Sequence, residues 1–184
     1  MTLKTAILYP PSNIERIISQ LQDDIFRTTG LVSPLALPVM LPIRFLSDSV
    51  SYPSFQSVFE GINASFTVQS AGFRLFGGVL YLYVRMDEEG ERLMETLESR
   101  LEKLESPQIQ PPFSPARGFF LCYDEESQGL EGILQSLGPP PSFRFSSFGF
   151  SLVALTIADP PMKWWSHVSW EMEGLIKVRK SRPR

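Results

Sequence analysis

The 184 residues include 43% hydrophobic and 20% charged side chains, enough to bury a core in one domain or in two small lobes. Five of the seventeen Lys and Arg residues lie in the last eight, KVRKSRPR. Twelve basic and twenty acidic residues remain, a formal charge of −8 that argues against a general polyanion-binding protein. A single cysteine excludes an intramolecular disulfide and a CxxC motif, and no apolar run of about 18 residues predicts a membrane span. We expect a cytoplasmic protein without membrane contact.

The first third of the chain predicts a strand, a helix, a second strand and a short helix. TAILY (5–9) is a short apolar strand ended by two prolines. Ser12 and Glu15 have the spacing of a capping box for a helix that Gly30 ends. Residues 38–46 alternate as a strand, and SYPSFQSVFEGI has the apolar spacing of a short helix.

The middle of the chain predicts a hairpin and the strongest helix of the sequence. ASFTVQSAGFRLFGGVLYLYVRM reads as two strands that turn at Gly77-Gly78. EEGERLMETLESRLEKLE places leucines on one stripe and acidic residues in its first turn, where they complement the helix dipole.

The last third predicts a Pro-rich connection, a strand, a helix and closing strands. QIQPPFSPAR leads into the strand GFFLCYD, SQGLEGILQSLG is a short helix, FRFSSFGFSLVALTIAD holds one or two strands, and WWSHVSWEM is a final strand. The order is β-α-β-α-β-β-α-β-α-β-β, with halves of similar layout on either side of the long helix. We expect one bilobal domain over residues 1–176 and a basic, disordered tail over 177–184.

This layout resembles the two-histidine (2H) phosphoesterase superfamily, which includes the 2′-5′ RNA ligase-like proteins and the cyclic phosphodiesterases. The resemblance implies an α+β fold of two βαβ-like lobes, with central antiparallel sheets that face a shared cleft and helices on the outside. In that family each lobe supplies a His-x-Thr or His-x-Ser motif on a strand. One histidine acts as general base and the other as general acid, since imidazole titrates near neutral pH.

The resemblance places the family's working positions on residues that cannot transfer a proton. In PVMLPI, Met40 stands at the histidine position and Pro42 at the hydroxyl position. In FSPARGFF, the second pair is Ala116 and Gly118, or Gly118 and Phe120 if the register slips by two. We therefore predict a degenerate site with no catalytic residues, no metal and no cofactor.

Several side chains remain candidates for ligand binding. Arg44 shares strand parity with Met40 and Pro42, so in a regular strand it points into the same cleft and could hold a phosphate. Tyr81, Tyr83 and Arg85 share one strand face and could stack on and clamp a base. Arg117 lies within the second motif segment, FSPARGFF, but in a regular strand its side chain points away from the cleft. His167 is the one histidine and has no metal-ligand partners nearby in sequence.

Three functions remain open at this stage. The first, which the lost motifs favour, is a non-catalytic protein whose cleft binds a nucleotide, an RNA end, another phosphate-bearing small molecule or a protein partner. The second is an active phosphodiesterase or RNA ligase-like enzyme that has rebuilt its acid/base pair from His167, Tyr81 or Tyr83. The third is a structural or interaction domain whose own side chains fill the cleft.

Overall fold

The structure, a computed structural model, describes residues 2–62, 65–107, 111–124, 127–146, 148–157 and 164–177. Helices and strands alternate within these residues much as the sequence predicts. They are β1 (Thr2–Tyr9), α1 (Ser12–Thr29), β2 (Leu41–Leu46), α2 (Tyr52–Ser57), β3 (Val68–Phe76), β4 (Val79–Met86), α3 (Glu88–Leu101), β5 (Gly118–Tyr123), α4 (Ser127–Ser136), β6 (Arg144–Phe145), β7 (Gly149–Ile157) and β8 (Val168–Lys177).

The strands form two four-stranded antiparallel sheets, as expected for the α+β fold. Sheet A has the order β2-β1-β7-β8 and sheet B the order β5-β4-β3-β6. The units β1-α1-β2 and β4-α3-β5 have equivalent places, because each ends in the edge strand of its sheet. The two sheets do not coincide with the two halves of the sequence. Strands β7 and β8 return to sheet A beside β1, whereas β5 joins sheet B.

Two apolar clusters divide the interior. The larger cluster receives side chains from all four helices and from one face of each sheet, for example Ile14, Phe55, Leu93 and Leu130. The smaller cluster receives none from the four helices among the described residues and lies between the other faces of the two sheets. The faces that form the cleft in the family are therefore packed against each other over part of their area. The members of the smaller cluster are Leu3, Ile7, Ala36, Leu37, Met40, Phe45, Val79, Tyr81, Phe113, Phe120, Val153, Leu155 and Ile157.

The start of α1 differs from the predicted capping box. Pro11 is the N-cap and no side chain caps the helix. Glu15 instead accepts a hydrogen bond of 2.7 Å from the hydroxyl of Tyr9 at the end of β1. The predicted stop is confirmed, since Gly30 adopts the left-handed conformation and its N–H donates to the carbonyl of Phe26.

The predicted hairpin is confirmed, and the final strand is shifted. Gly77 and Gly78 turn the chain between β3 and β4 with φ of 57° and 74°. The last strand begins at Val168 rather than within WWSH, because Trp164–Ser166 form a 3-10 turn. His167 thus precedes β8, and Lys177, assigned to the tail, is the last residue of β8. The rest of the basic tail, 178–184, lies outside the described residues.

Candidate functional site

The two predicted motif segments, PVMLPI (the first frame) and FSPARGFF (the second frame), meet where the edges of the two sheets touch. The main-chain N–H of Phe120 donates to the carbonyl of Met40 across 3.3 Å, and this bond joins the edges of the two sheets. Both side chains are fully buried, with 0% relative exposure. A ligand that enters from solvent therefore has no contact with either side chain.

A β-bulge follows the working positions in each edge strand. In β2, Pro42 pairs with Ile7 while Arg44 pairs with Ala6, which leaves Ile43 as the extra residue. The bulge reverses the alternation of side chains beyond it. Arg44 therefore lies on the face of Ala6, which belongs to the helix-covered cluster, and not on the cleft face of Pro42.

The predicted orientation of Arg44 is thus wrong, because the strand is not regular. Its guanidinium lies 3.3 Å from the carboxylate of Glu102, just after the end of α3. It also lowers the pKa of Glu98, which burial raises by a larger amount. Arg44 lines a cavity on this side with Glu98 and prolines of the 106–115 connection.

The corresponding bulge in β5 aligns the two frames with each other. Phe120 pairs with Tyr81 and Cys122 with Leu80, so Leu121 is the extra residue in β5 as Ile43 is in β2. Counting back from the bulges, Phe120 takes the place of Pro42, and Gly118 takes the place of Met40. Of the two predicted registers, Gly118 with Phe120 is therefore the one that has the same spacing from its bulge as Met40 with Pro42.

Gly118 has no space for a side chain. A Cβ at this position would lie 2.9 Å from the carbonyl oxygen of Leu82 and 2.9 Å from the Cβ of Tyr81. Both contacts are shorter than real Cβ atoms tolerate, and the oxygen belongs to main chain inside a sheet. The backbone of β5 therefore does not accommodate a histidine here without moving away from β4.

Phe113 closes the space above the two frames. Its ring lies 5.1 Å from the ring of Phe45 on β2 and 5.3 Å from the ring of Phe120 on β5, and its side chain is 5% exposed. The hydroxyl of Tyr81 donates to the carbonyl of the next residue, Ser114, at 2.7 Å and so fixes the segment that carries the ring. Sequence reasoning missed Phe113, although an aromatic between prolines, PPFSP, was the available signal.

Two side chains from the segment before β2 form hydrogen bonds with main-chain groups along the outer edge of β5. The side-chain amide of Gln22 on α1 donates to the carbonyl of Phe120 at 3.0 Å. The hydroxyl of Ser33 donates to the carbonyl of Tyr123 at 2.7 Å and accepts from its N–H at 3.0 Å. These bonds hold the edge strand against its neighbours and leave little freedom for the frames to separate.

An open cavity of about 280 Å³ remains over sheet B, beside the second frame. The guanidinium of Arg74 on β3 stacks over the ring of Tyr83 on β4 at 3.9 Å, and the ring of Phe76 is 53% exposed. Tyr83 is therefore the predicted residue that lies in an accessible position, whereas Tyr81 forms the buried floor. Sequence reasoning missed Arg74 and Phe76, although their alternation in GFRLF was the available signal. The cavity is lined by Arg74, Leu75, Phe76, Tyr81, Tyr83, Pro115 and Ala116.

The remaining predicted residues do not converge on one site. Arg85 is exposed and pairs in register with Gln69, at the end of β4 away from the hairpin turn. Arg117 forms an ion pair with Glu91 on α3. His167 is exposed, and its Nδ1 lies 2.8 Å from the hydroxyl of Ser166.

The described residues contain no group of three His, Cys, Asp or Glu side chains that could hold a metal ion. Burial, with a smaller contribution from Asp124, raises the pKa of the Cys122 thiol to about 12, so it stays protonated near neutral pH. Burial also raises the pKa of the Tyr81 hydroxyl. None of the helices in the described part of the chain is long and apolar enough to cross a membrane.

Two four-stranded antiparallel sheets whose edge strands β2 and β5 meet are a fold that this chain shares with solved structures of two other proteins. The protein TT0787 of Thermus thermophilus is similar over 99% of this chain and 100% of its own, with a TM-score of 0.60 and 16% identity. E. coli LigT complexed with 3′-AMP is similar over 96% and 98%, with a TM-score of 0.62 and 15% identity. E. coli LigT complexed with NADP⁺ is similar over 96% and 97%, with a TM-score of 0.62 and 16% identity. No family model and no curated protein matches the sequence.

Proposed function

We propose that this chain is a non-catalytic binding protein with the 2H phosphoesterase fold. The centre of the cleft is sealed, and its open end over sheet B binds a phosphate-bearing ligand at Arg74, Phe76 and Tyr83. The observation that carries the proposal is the main-chain hydrogen bond between Met40 and Phe120, whose side chains are both fully buried, whereas the family's chemistry requires accessible side chains in both motifs.

The groups present at the four aligned positions cannot perform acid/base chemistry. Met40, Pro42, Gly118 and Phe120 carry no titratable atom, and positioned proton transfer contributes about 10² to 10⁴ in rate per group. A rebuilt pair has little support. His167 precedes β8, the edge strand of sheet A opposite β2, and the hydroxyl of Tyr81 is buried and donates to Ser114.

The open end has the side chains that a nucleotide or another phosphate ester requires. Within the part of the chain that the structure describes, the guanidinium of Arg74 makes a cation–π contact with the ring of Tyr83 and has no carboxylate within ion-pair distance. A guanidinium in that position can bind a phosphate through charge-assisted hydrogen bonds. The exposed ring of Phe76 offers a stacking surface for a base. The complexes of LigT with 3′-AMP and with NADP⁺ support a ligand of this class.

Calorimetric titration of 3′-AMP into the native chain, Arg74→Gln and Arg44→Gln tests this proposal. Hydrogen bonds to charged groups contribute about 1.5–3 kcal/mol, so Arg74→Gln should weaken binding about 10- to 100-fold. Arg44→Gln removes the same charge from sheet A, outside this cavity, and should leave the affinity unchanged. Equal affinities in all three proteins would contradict the site, and no binding by the native chain would favour the filled-cleft interaction domain.

A parallel assay separates binding from catalysis. The native chain should not turn over 2′,3′-cyclic nucleotides or short 2′-5′-linked oligonucleotides. Turnover that His167→Ala or Tyr83→Phe abolishes would instead establish an enzyme with a rebuilt acid/base pair.

A further inference from the structure

A second cavity, also of about 280 Å³, lies beside α1 and has the opposite electrostatic character. Its lining includes Glu15, Gln22 and Asp23 on α1, Tyr9 at the end of β1, Leu35 in the loop before β2, and Trp170 on β8. None of the described residues that line it is a Lys or an Arg. This polarity excludes a phosphate ligand, so the cavity is independent of the site proposed over sheet B.

The polar wall of this cavity presents hydrogen-bond acceptors. The carboxylate of Glu15 is held in place by the hydroxyl of Tyr9, whose pKa is raised to about 12 by burial and further by Glu15. The carboxylate of Asp23 is exposed about two turns further along the helix. Gln22 is only 4% exposed, and its amide nitrogen donates to Phe120. Among the described residues no N–H or O–H group donates to its amide oxygen, so this buried side chain has one hydrogen-bond acceptor without a protein donor.

The other wall of the cavity is apolar and accessible. Trp170 is 46% exposed and Leu35 is 47% exposed, two of the most exposed large apolar side chains in the described residues. Single exposed apolar residues need no explanation, but these two line one cavity. An indole beside carboxylates also offers its ring face to a cation.

A guanidinium complements both walls. It has five N–H donors and no acceptor, it pairs with carboxylates in a planar fork, and it stacks on indole rings. The acidic and apolar lining suits one long cationic side chain better than an anionic nucleotide. Trp170 and Leu35 can then cover apolar residues that flank the arginine.

We propose that the cavity between α1 and Trp170 binds an arginine side chain of an extended peptide segment in a partner protein. Asp23 and Gln22 accept the guanidinium hydrogen bonds, Glu15 adds a second negative charge to the same cavity, and Trp170 and Leu35 pack on the stem of the arginine and on its apolar neighbours.

The experiment uses the capped peptide acetyl-Ala-Val-Arg-Val-Ala-amide and its citrulline counterpart, which has the same shape without the charge. Titration into the full chain at low ionic strength should show saturable binding of the arginine peptide and at least tenfold weaker binding of the citrulline peptide. Asp23→Asn should lower the affinity for the arginine peptide about tenfold. Asp24→Asn, the matched control, removes the same charge one residue away outside the cavity and should leave the affinity within twofold.

Three results would overturn the proposal. They are equal binding of the two peptides, an equal effect of the two aspartate variants, and no measurable binding of the arginine peptide. The arginine peptide is also titrated into a chain that stops at Lys177. If this shorter chain binds the peptide at least tenfold more tightly than the full chain, segment 178–184 competes for the cavity, and the proposal that the arginine comes from a partner protein is wrong. Arg74→Gln should not change peptide binding, which distinguishes a failure here from a failure of the phosphate site.

Discussion

Met40 and Phe120 lie at equivalent edges of two different sheets, and a main-chain hydrogen bond of 3.3 Å joins them. The bond makes the two sheets nearly continuous at the place where the family has a cleft. Under the proposed function, the absence of histidines at the motif positions goes together with a closed space around them. The stability of this closed centre can be measured directly.

Phe113 should be a large contributor to stability. Its ring contacts Phe45 and Phe120 and is 5% exposed, so Phe113→Ala should reduce the free energy of unfolding by about 3–5 kcal/mol in urea titrations. Phe76→Ala is the matched control. Because its ring is 53% exposed, its loss should stay below about 1 kcal/mol. Similar losses in the two variants would show that Phe113 does not close the cleft in solution.

Gly118 should not tolerate even a methyl group. In Gly118→Ala the new Cβ meets the Leu82 carbonyl and the Tyr81 Cβ, and we expect a loss of about 1–3 kcal/mol in the same measurement. Gly132 on α4 has no atom within 4 Å of an added Cβ, so Gly132→Ala should stabilise the protein by about 0.5–1 kcal/mol through helix propensity. A neutral Gly118→Ala would mean that β5 can move away from β4.

Ser33 should hold the outer edge of β5. Ser33→Ala removes the buried hydroxyl that donates to the carbonyl of Tyr123 and accepts from its N–H, and the loss of these two hydrogen bonds should cost about 1–3 kcal/mol. Ser57→Ala removes an exposed hydroxyl that donates to Ser54, and its effect should lie within about 0.5 kcal/mol of zero. Unfolding midpoints of the two variants and the native chain decide the matter, and coinciding midpoints would refute the role of Ser33.

Cys122 should make the protein less stable at alkaline pH. Burial raises the pKa of its thiol from 9.0 to about 12, so the folded state keeps a proton that the unfolded chain releases above pH 9. The unfolded chain then binds fewer protons, and the free energy of unfolding falls as pH rises from about 9 towards 12. In Cys122→Ala the decrease between pH 8.5 and 10 should be smaller, since Tyr9 and Tyr81 contribute mainly above pH 10.

The same burial predicts an unreactive thiol. Ellman's reagent at pH 8 should label the chain in urea but not the folded protein. Rapid labelling without denaturant would show that β5 opens readily.

The sequence was sufficient for the order of the helices and strands, and the absence of catalytic residues stays a prediction. Apolar periodicity located α1, α3 and the β3–β4 hairpin, and Gly30 and Gly77-Gly78 marked their ends because left-handed conformations favour glycine. The identities of Met40 and Pro42 excluded proton transfer at the first frame with no knowledge of geometry. Local chemistry of this kind depends on near neighbours in the chain, and these are visible in the sequence.

Only the tertiary structure decided where side chains point and what covers them. The bulge at Ile43 turns Arg44 to the other face, and the bulge at Leu121 gives Gly118 with Phe120 the same spacing as Met40 with Pro42. Phe113, Arg74 and Trp170 gained their roles from residues far away in the chain. Side chains alternate between the faces of a strand only while its pairing is regular, and a bulge is a property of how that strand pairs with its neighbour. The sequence of a single segment does not show how that segment pairs with a distant strand, so it cannot predict the bulge.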